Sequence, residues 1–517
     1  MASLGLGGRI RAPGEPPVPN MAALAMGTIV GLLLVALPMM GKNAAFVSCG
    51  SVVLAIGIWL SGNPRLIMLW ALIFTAPLSL AVKFVVIPHM GGASAFQFDV
   101  SDAFLLALLA FQARDRLRGY LPETRVPATL WWWMLLILAG TQSLIVGPWR
   151  MLAAQQLFEM AKEGLLFFVI VNELVRVKGI VQMVTALACL VILLALVAFG
   201  EFIHHGPLGL EFLGEATKED AELTNLATYL NRNAGIYRTG SLLGHPNLLS
   251  AFLAMTLPII VGALLSSIDL PRRLLFGVAI AMGGVALLLT LSRTGWLSMG
   301  LAMILMLMLA SLHPKVRGRH VRLRLTMITA LGLGVVGALP MIIKRFTQSD
   351  PGALNFRYEW MTVAIDFVQR SPIFGVGLNT FVYHLPGNTK YGDVTGLNEH
   401  FGQLWPIVHN IYLIIWSEQG TIGLVFFVGM YLSLLWAGMR SLRNPLDERL
   451  FMIGAGCLAG ICATMLDGLS SFFLRNSQCA RSFWIVAGLL VAVCYWNRVN
   501  GPARRAPSGP PAPAGNG

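Results

Sequence analysis

Apolar and polar positions alternate along this chain on the scale of whole helices rather than of neighbouring residues. Apolar runs of roughly 18–22 residues recur between polar connections, and that length crosses about 30 Å of hydrocarbon. The runs cover about 21–40, 44–62, 65–87, 102–112, 129–147, 152–174, 179–203, 248–267, 273–291, 295–312, 326–343, 409–439, 450–470 and 482–497. The pattern predicts an all-α polytopic membrane protein with about 12–14 transmembrane helices.

The fourth run, at 102–112, is too short to span a membrane alone. It either borrows flanking residues or is re-entrant, and the second alternative would change the orientation of every run before it.

Polar stretches divide the chain into seven predicted segments. These are a cytoplasmic tail at 1–20, transmembrane helices over 21–203, a first outer loop at 204–247, helices over 248–343, a large outer loop at 344–408, helices over 409–497 and a disordered tail at 498–517. The large loop between two late helices carries aromatic, basic and glycine residues. We therefore expect the chemistry of the protein near the end of this loop.

The basic residues indicate how the chain is oriented. The chain is 56% hydrophobic and 12% charged, with a mean hydropathy of +0.71 and a net charge of +13. With the N-terminus inside, 22 Lys and Arg residues lie on inner segments and five on short outer turns, which is the bias of cytoplasmic loops. The cluster KVRGRHVRLR at 315–324 fits this orientation. The positive charge thus has a topological cause, and nucleic acid is not predicted as a partner.

The sequence gives no sign of a metal or nucleotide site. The six cysteines lie mostly inside apolar runs and lack CxxC spacing. There is no P-loop or DxD-like carboxylate pair, and FGVGLNTF is only a weak glycine pattern. We expect no metal and no cofactor.

Three stretches place polar side chains where a membrane helix meets the outer water. They are YRTGSLLGHPNLLSAFLA at 237–254, LTLSRTGWLS at 289–298 and WPIVHNIYLIIWSEQG at 405–420. Each has an ordinary explanation, because a lone arginine commonly snorkels to the interface, a histidine can pack there, and a glutamate can pair locally. If they converge, arginines suit a diphosphate and a histidine can accept a proton from a sugar hydroxyl.

In combination, several motifs resemble the bacterial O-antigen ligase and Wzy polymerase superfamily. They are RTGSLLGHPNLLSAFL, LSRTGWLS, and NFRYEWMTVAIDFVQRSPIFGVGLNTF followed by HNIYLIIWSEQGTIGL, and together they cover roughly 237–430. The resemblance implies a GT-C-like, metal-independent glycosyltransferase. It also implies action on undecaprenyl-diphosphate-linked glycan at the periplasmic face of the bacterial inner membrane.

The resemblance also implies roles for individual residues. Arg238 and Arg293 would bind the donor diphosphate, and His409 would activate the acceptor as the catalytic residue. Further substrate contacts are expected from His245, Asn247, Arg357, Asn410 and Glu418.

The sequence leaves the acceptor open. A polymerase of an exopolysaccharide or O-antigen, which transfers the chain to another lipid-linked repeat unit, is the preferred interpretation. An O-antigen ligase, which transfers the chain to lipid A–core, is the alternative. A transporter (flippase) for lipid-linked oligosaccharide and a structural subunit of a polysaccharide assembly are alternatives of other classes. Membrane lipids and other assembly proteins are the further expected partners.

Overall fold

The computed structural model describes part of the chain. The described residues are 62–89, 91–120, 124–147, 149–218, 237–312, 339–340, 343, 347, 351–385, 407–443 and 447–500. Several predicted segments lie outside the described residues. They are the apolar run at 21–40, nearly all of the runs at 44–62 and 326–343, the basic cluster at 315–324, and both predicted tails except for 498–500. The chain divides into two compact units, Met1–Ile67 and Met68–Gly517, and the packing described below is that of the second unit.

Twelve α-helices and two short strands account for most of the described residues. They are α1 Pro64–Thr75, β1 Ala81–Phe84, β2 Phe96–Asp99, α2 Val100–Leu117, α3 Ala128–Ile145, α4 Arg150–Glu173, α5 Val177–His204, α6 Pro246–Leu264, α7 Leu270–Leu289, α8 Arg293–Ser311, α9 Pro351–Arg370, α10 Ile411–Ser441, α11 Glu448–Asp467 and α12 Ser477–Asn500. Within the described residues, eight helices are long and apolar enough to cross a bilayer, namely α3, α5, α6, α7, α8, α10, α11 and α12. The protein is an all-α polytopic membrane protein, as the hydropathy pattern predicts.

Helices α6 and α11 approach each other closely because glycines face the contact. A Cβ added to Gly460 would clash with the backbone carbonyl of Met255, and one added to Gly456 would clash with Pro258 and Ile259. Small residues let membrane helices pack backbone against backbone, where dispersion contacts replace the hydrophobic effect. This pair forms the centre of the bundle, and α6 is buried along almost its whole length.

The third predicted run, at 65–87, is not one long helix. Helix α1 ends at Thr75, and the chain continues into β1, which pairs antiparallel with β2 from Ala81 opposite Asp99 to Phe84 opposite Phe96. Hydropathy does not separate a strand of the sequence AVKF from a helical turn of the same residues. The helix predicted from this run is therefore too long. The fourth run extends to 18 residues as α2, borrowing flanking residues.

A buried charged network ties the β-hairpin to α4 and α12. Lys162 Nζ lies 3.3 Å from Asp99, 2.9 Å from Asp102 and 3.1 Å from Glu159, and Arg481 also pairs with Asp99. Buried charges must be paired, because an isolated one loses several kcal/mol of hydration. The network therefore fixes the hairpin on the helix bundle.

The large predicted outer loop contains regular structure. Helix α9 lies within it, buries Trp360 and Phe367, and packs against α10. A 3₁₀ turn at Phe381–His384 follows, and the described part of the loop resumes at 407.

Candidate functional site

Hydrogen bonds to the connection after α11 fix the start of α10. Asn410 caps α10, since its Oδ1 accepts from the Leu413 amide at 3.0 Å, and its Nδ2 donates to the Leu469 carbonyl at 3.1 Å. The Ile411 amide donates to the Gly468 carbonyl at 2.9 Å. His409, one residue before the cap, is thereby held beside the 468–471 segment.

The His409 ring is held in one tautomer. Its Nδ1 lies 3.1 Å from the Ile407 carbonyl oxygen. A carbonyl can only accept, so Nδ1 carries the proton and Nε2 keeps its lone pair. The ring packs edge-to-face on Phe472 at 5.1 Å between centroids. Burial, together with the nearby Arg357 charge, lowers the pKa of His409 to about 4, so the imidazole is neutral near pH 7.

Arg293 is the first residue of α8 and lies beside the same 468–471 segment. Ser292 caps the helix by accepting from the Gly295 amide at 3.3 Å. The next side chain, Thr294, accepts from Ser470 at 2.8 Å. One short segment therefore contacts the starts of both α8 and α10, and it brings the backbone positions of Arg293 and His409 to the same end of the bundle.

Arg238 lies against the turn that leads to Arg293. Its Nε donates to the Thr290 carbonyl at 2.9 Å, and its Nη2 donates to Asn247 Oδ1 at 3.0 Å. Because Thr290 comes three residues before Arg293, the two predicted diphosphate-binding arginines belong to one neighbourhood. Asn247 orients the Arg238 guanidinium.

His245 has the tautomer opposite to that of His409. It caps α6, and its Nδ1 accepts from the Asn247 amide at 3.1 Å, which leaves the ring proton on Nε2. Burial lowers the pKa of His245 to about 3, and the charge of Arg238, a charge on His409 and that of Arg357 act in the same direction. Both rings are neutral at physiological pH; His245 can donate from Nε2, and His409 can accept.

Arg357 belongs to α9 and joins this neighbourhood from a different part of the chain. Its charge lowers the pKa values of both His245 and His409, which places it within electrostatic reach of both rings. It also interacts electrostatically with Asp467, the buried last residue of α11. Asp467 was not among the predicted site residues, since an acid at the end of an apolar run carries no motif.

Glu418, a predicted substrate contact, makes several contacts within the protein. It is buried in α10 and forms an ion pair with Arg475. Its Oε2 accepts from the Asn379 amide at 2.9 Å, and its Oε1 accepts from the Phe381 amide at 3.2 Å. Both oxygens are therefore engaged in holding the 376–381 segment on α10. Asn410 is likewise engaged by its cap, so the contacts favour a supporting role for both residues.

The surroundings of His409 combine positive charge with a neutral imidazole whose lone pair is on Nε2. Guanidinium groups fit phosphate oxygens, and a neutral imidazole can take a proton from a hydroxyl. Among the described residues, no three His, Cys, Asp or Glu side chains are grouped so that they could hold a metal ion. These side chains are of the types that bind an anion and accept a proton.

A comparison with known families bears on this arrangement. Residues 277–428 match the family described as O-Antigen ligase. The chain carries an O-antigen ligase domain. The domain covers less than a third of the chain and contains Arg293, Arg357 and His409, while Arg238 and His245 precede it. The family predicted from the motifs is confirmed, and the domain indicates a membrane glycosyltransferase of the ligase and polymerase type. No curated protein matches the chain.

Proposed function

We propose that this protein transfers a glycan from undecaprenyl diphosphate to a sugar hydroxyl at the end of the bundle where His409 lies. The observation that carries the proposal is the tautomer of His409, which leaves the lone pair on Nε2 while the charge of Arg357 acts on the ring. The O-antigen ligase domain supplies the substrate class.

The proposed reaction is a single displacement at the anomeric carbon of the donor. The acceptor oxygen attacks that carbon as its proton passes to His409 Nε2. The bond between the carbon and the phosphate oxygen breaks, and the electron pair leaves with the diphosphate. Arg238 and Arg293 stabilise the charge that develops on the leaving group, and Arg357 adds to the positive field.

His245 has a separate proposed role. Its Nε2 carries a proton and can donate a hydrogen bond but cannot accept one. We assign it to a phosphate or sugar oxygen of the donor. His245 would then donate a hydrogen bond to the glycan donor, and His409 would take a proton from the acceptor.

The placement of basic residues supports a site that faces the periplasm from the inner membrane. Arg440 lies at the far end of α10 from His409. Arg449 is the second residue of α11, whose other end contacts the start of α10. Arg272 and Arg273 lie in the first turn of α7, whose other end leads to Arg293. Arginines collect at cytoplasmic helix ends, so His409 would lie on the outer side.

Two acceptors are compatible with this chemistry. Transfer to another lipid-linked repeat unit would make the protein a polymerase of an exopolysaccharide or O-antigen, which is our first proposal. Transfer to lipid A–core would make it a ligase, which the description of the matched family favours. Other assembly proteins would supply the donor.

Gel analysis of the glycans in a deletion strain separates these activities. Single capped repeats identify a polymerase, and unattached full-length chains identify a ligase. Complementation with the wild-type gene should restore the product, and complementation with His409→Ala at equal protein level should not. Full restoration by His409→Ala would overturn the proposed base. Lipid-linked glycan that accumulates on the cytoplasmic side would identify a transporter instead.

A further inference from the structure

A polar pocket lies close to His409. It lies between the turn of the β-hairpin at 91–97, the first half of α4 and the 472–478 segment that precedes and begins α12. Its cavity volume is about 220 Å³. That is smaller than the roughly 300–1,000 Å³ of pockets for drug-sized ligands, and it suits a single small ligand. The pocket therefore has room for a sugar residue.

The lining combines hydrogen-bond donors, acceptors and one aromatic ring. It includes Gln97, Gln156, Glu159, Glu163, Phe472 and Asn476. Such a mixture suits a neutral polyhydroxylated ligand, because each hydroxyl both donates and accepts and a sugar also has apolar ring faces.

Three amide side chains in the pocket have one polar atom engaged and one without a partner among the described residues. Gln156 Oε1 accepts from the Ala93 amide at 2.9 Å, which leaves Nε2. Asn476 Oδ1 accepts from the Gln478 amide at 3.1 Å, which leaves Nδ2. Gln97 Nε2 donates to Ser477 at 2.9 Å, which leaves Oε1. The pocket therefore offers two N–H donors and one oxygen acceptor. Each belongs to a side chain that another hydrogen bond holds in place.

The pocket adjoins His409 through two contacts. Phe472 lines the pocket and packs edge-to-face on the His409 ring at 5.1 Å. Gly91, at the pocket rim, packs so closely against Ile407 that an added Cβ would clash with that side chain. A sugar in the pocket could contact Phe472, whose ring packs against the His409 imidazole.

The charges of the pocket argue against a diphosphate there. Glu159 and Glu163 are buried in its wall. Of the two lining cations, Arg475 is paired with Glu418 and Lys83 lies on the hairpin. Arg238 and Arg357 belong to the other neighbourhood, with His245. The pocket and the surroundings of His245 therefore differ in charge, and the pocket favours a neutral ligand.

We propose that this pocket binds the terminal sugar of the acceptor and presents its hydroxyl to His409. The inference rests on the proposed function, since it assigns the second substrate of the same reaction. It predicts that sugar binding and diphosphate binding are separate and that both can occur together.

Saturation-transfer NMR on the purified full-length protein tests the proposal. The probes are methyl glycosides of hexoses and N-acetylhexosamines at millimolar concentration, with inorganic pyrophosphate as a second ligand. At least one glycoside should show transfer, and pyrophosphate should not displace it. Gln156→Glu keeps the Oε1 acceptor for Ala93 and removes the Nε2 donor, so it should weaken glycoside binding about tenfold. Gln182→Glu, on α5 outside the pocket, is the matched control.

Asn476→Asp provides a second variant that keeps the oxygen facing the Gln478 amide and removes the Nδ2 donor. It should also weaken glycoside binding about tenfold while leaving pyrophosphate binding unchanged. Pyrophosphate binding without transfer to any glycoside would overturn the pocket proposal and leave the transferase proposal standing. Glycoside binding that both variants leave unchanged would also overturn it. Glycoside binding without any pyrophosphate binding would instead contradict the proposed function.

Discussion

Replacement of Arg238 by lysine tests whether the fixed guanidinium, rather than positive charge alone, stabilises the leaving group. Two charge-assisted hydrogen bonds define its plane, one to the Thr290 carbonyl at 2.9 Å and one to Asn247 at 3.0 Å. Each such bond contributes about 1.5–3 kcal/mol. Lysine keeps the charge but cannot reproduce the planar fork that matches phosphate oxygens.

The expected loss of activity depends on which contacts each variant keeps. Arg238→Lys should lower kcat/KM for glycan transfer on the order of 10²–10³-fold, the range for loss of one preorganised electrostatic contact. Asn247→Ala removes one orienting bond and keeps the guanidinium, so about a tenfold loss is expected, equivalent to about 1.4 kcal/mol. The double variant should resemble Arg238→Lys alone, because Asn247 acts through Arg238.

The assay is the initial rate of product formation by purified protein with lipid-linked donor and acceptor. Arg272→Lys is the matched control, since that arginine lies at the start of α7 and forms an exposed pair with Asp269. Arg238→Lys within about threefold of the wild-type rate would refute a leaving-group role. Independent, fully multiplicative effects of Arg238→Lys and Asn247→Ala would refute the positioning argument.

Further predictions concern pH and stability. Because the pKa of His409 is lowered to about 4, its neutral form persists through mild acid, and kcat/KM should fall only near pH 4 rather than near 6.5. Arg357→Gln removes one cause of the lowering, so the acid limb should move to higher pH, though only part of the way, since burial is the larger cause. Glu418→Gln should lower the free energy of unfolding by about 3–5 kcal/mol in a thermal melt, because it leaves buried Arg475 without a carboxylate. The exposed-pair control Asp269→Asn should change it by about 0–1 kcal/mol. An acid limb near pH 6.5, or equal melting temperatures for Glu418→Gln and Asp269→Asn, would contradict these expectations.

Hydropathy predicts the membrane helices because their length and apolar character are set by the bilayer. It fails where an apolar segment is not helical, and the run at 65–87 is the example, since β1 has the same residue types as a helix turn. Hydropathy also does not predict the buried charges on α4. Lys162 and Glu159 lie in a run that looks like a simple span, and only the folded chain shows their partners on the hairpin.

The motifs indicate His409, Arg238 and Arg293 because each lies in a polar stretch that leads into or begins an apolar run. Their proximity cannot be predicted in the same way. It depends on the 468–471 segment, which has no motif of its own but bonds to Thr294 and Asn410. The contact between Phe472 and His409 could not be predicted either. The two residues are far apart in the sequence, and an aromatic residue in an apolar region has no distinguishing pattern.

The most direct test of the central claim is a reaction of purified protein with defined undecaprenyl-diphosphate-linked donor and candidate acceptors, read by the mass of the product. Wild-type protein should form a product heavier than the acceptor by the donor glycan and release undecaprenyl diphosphate. His409→Ala should be slower by on the order of 10²–10⁴-fold. His204→Ala, an exposed histidine at the end of α5, should match wild type. Equal rates for His409→Ala and wild type would contradict the account.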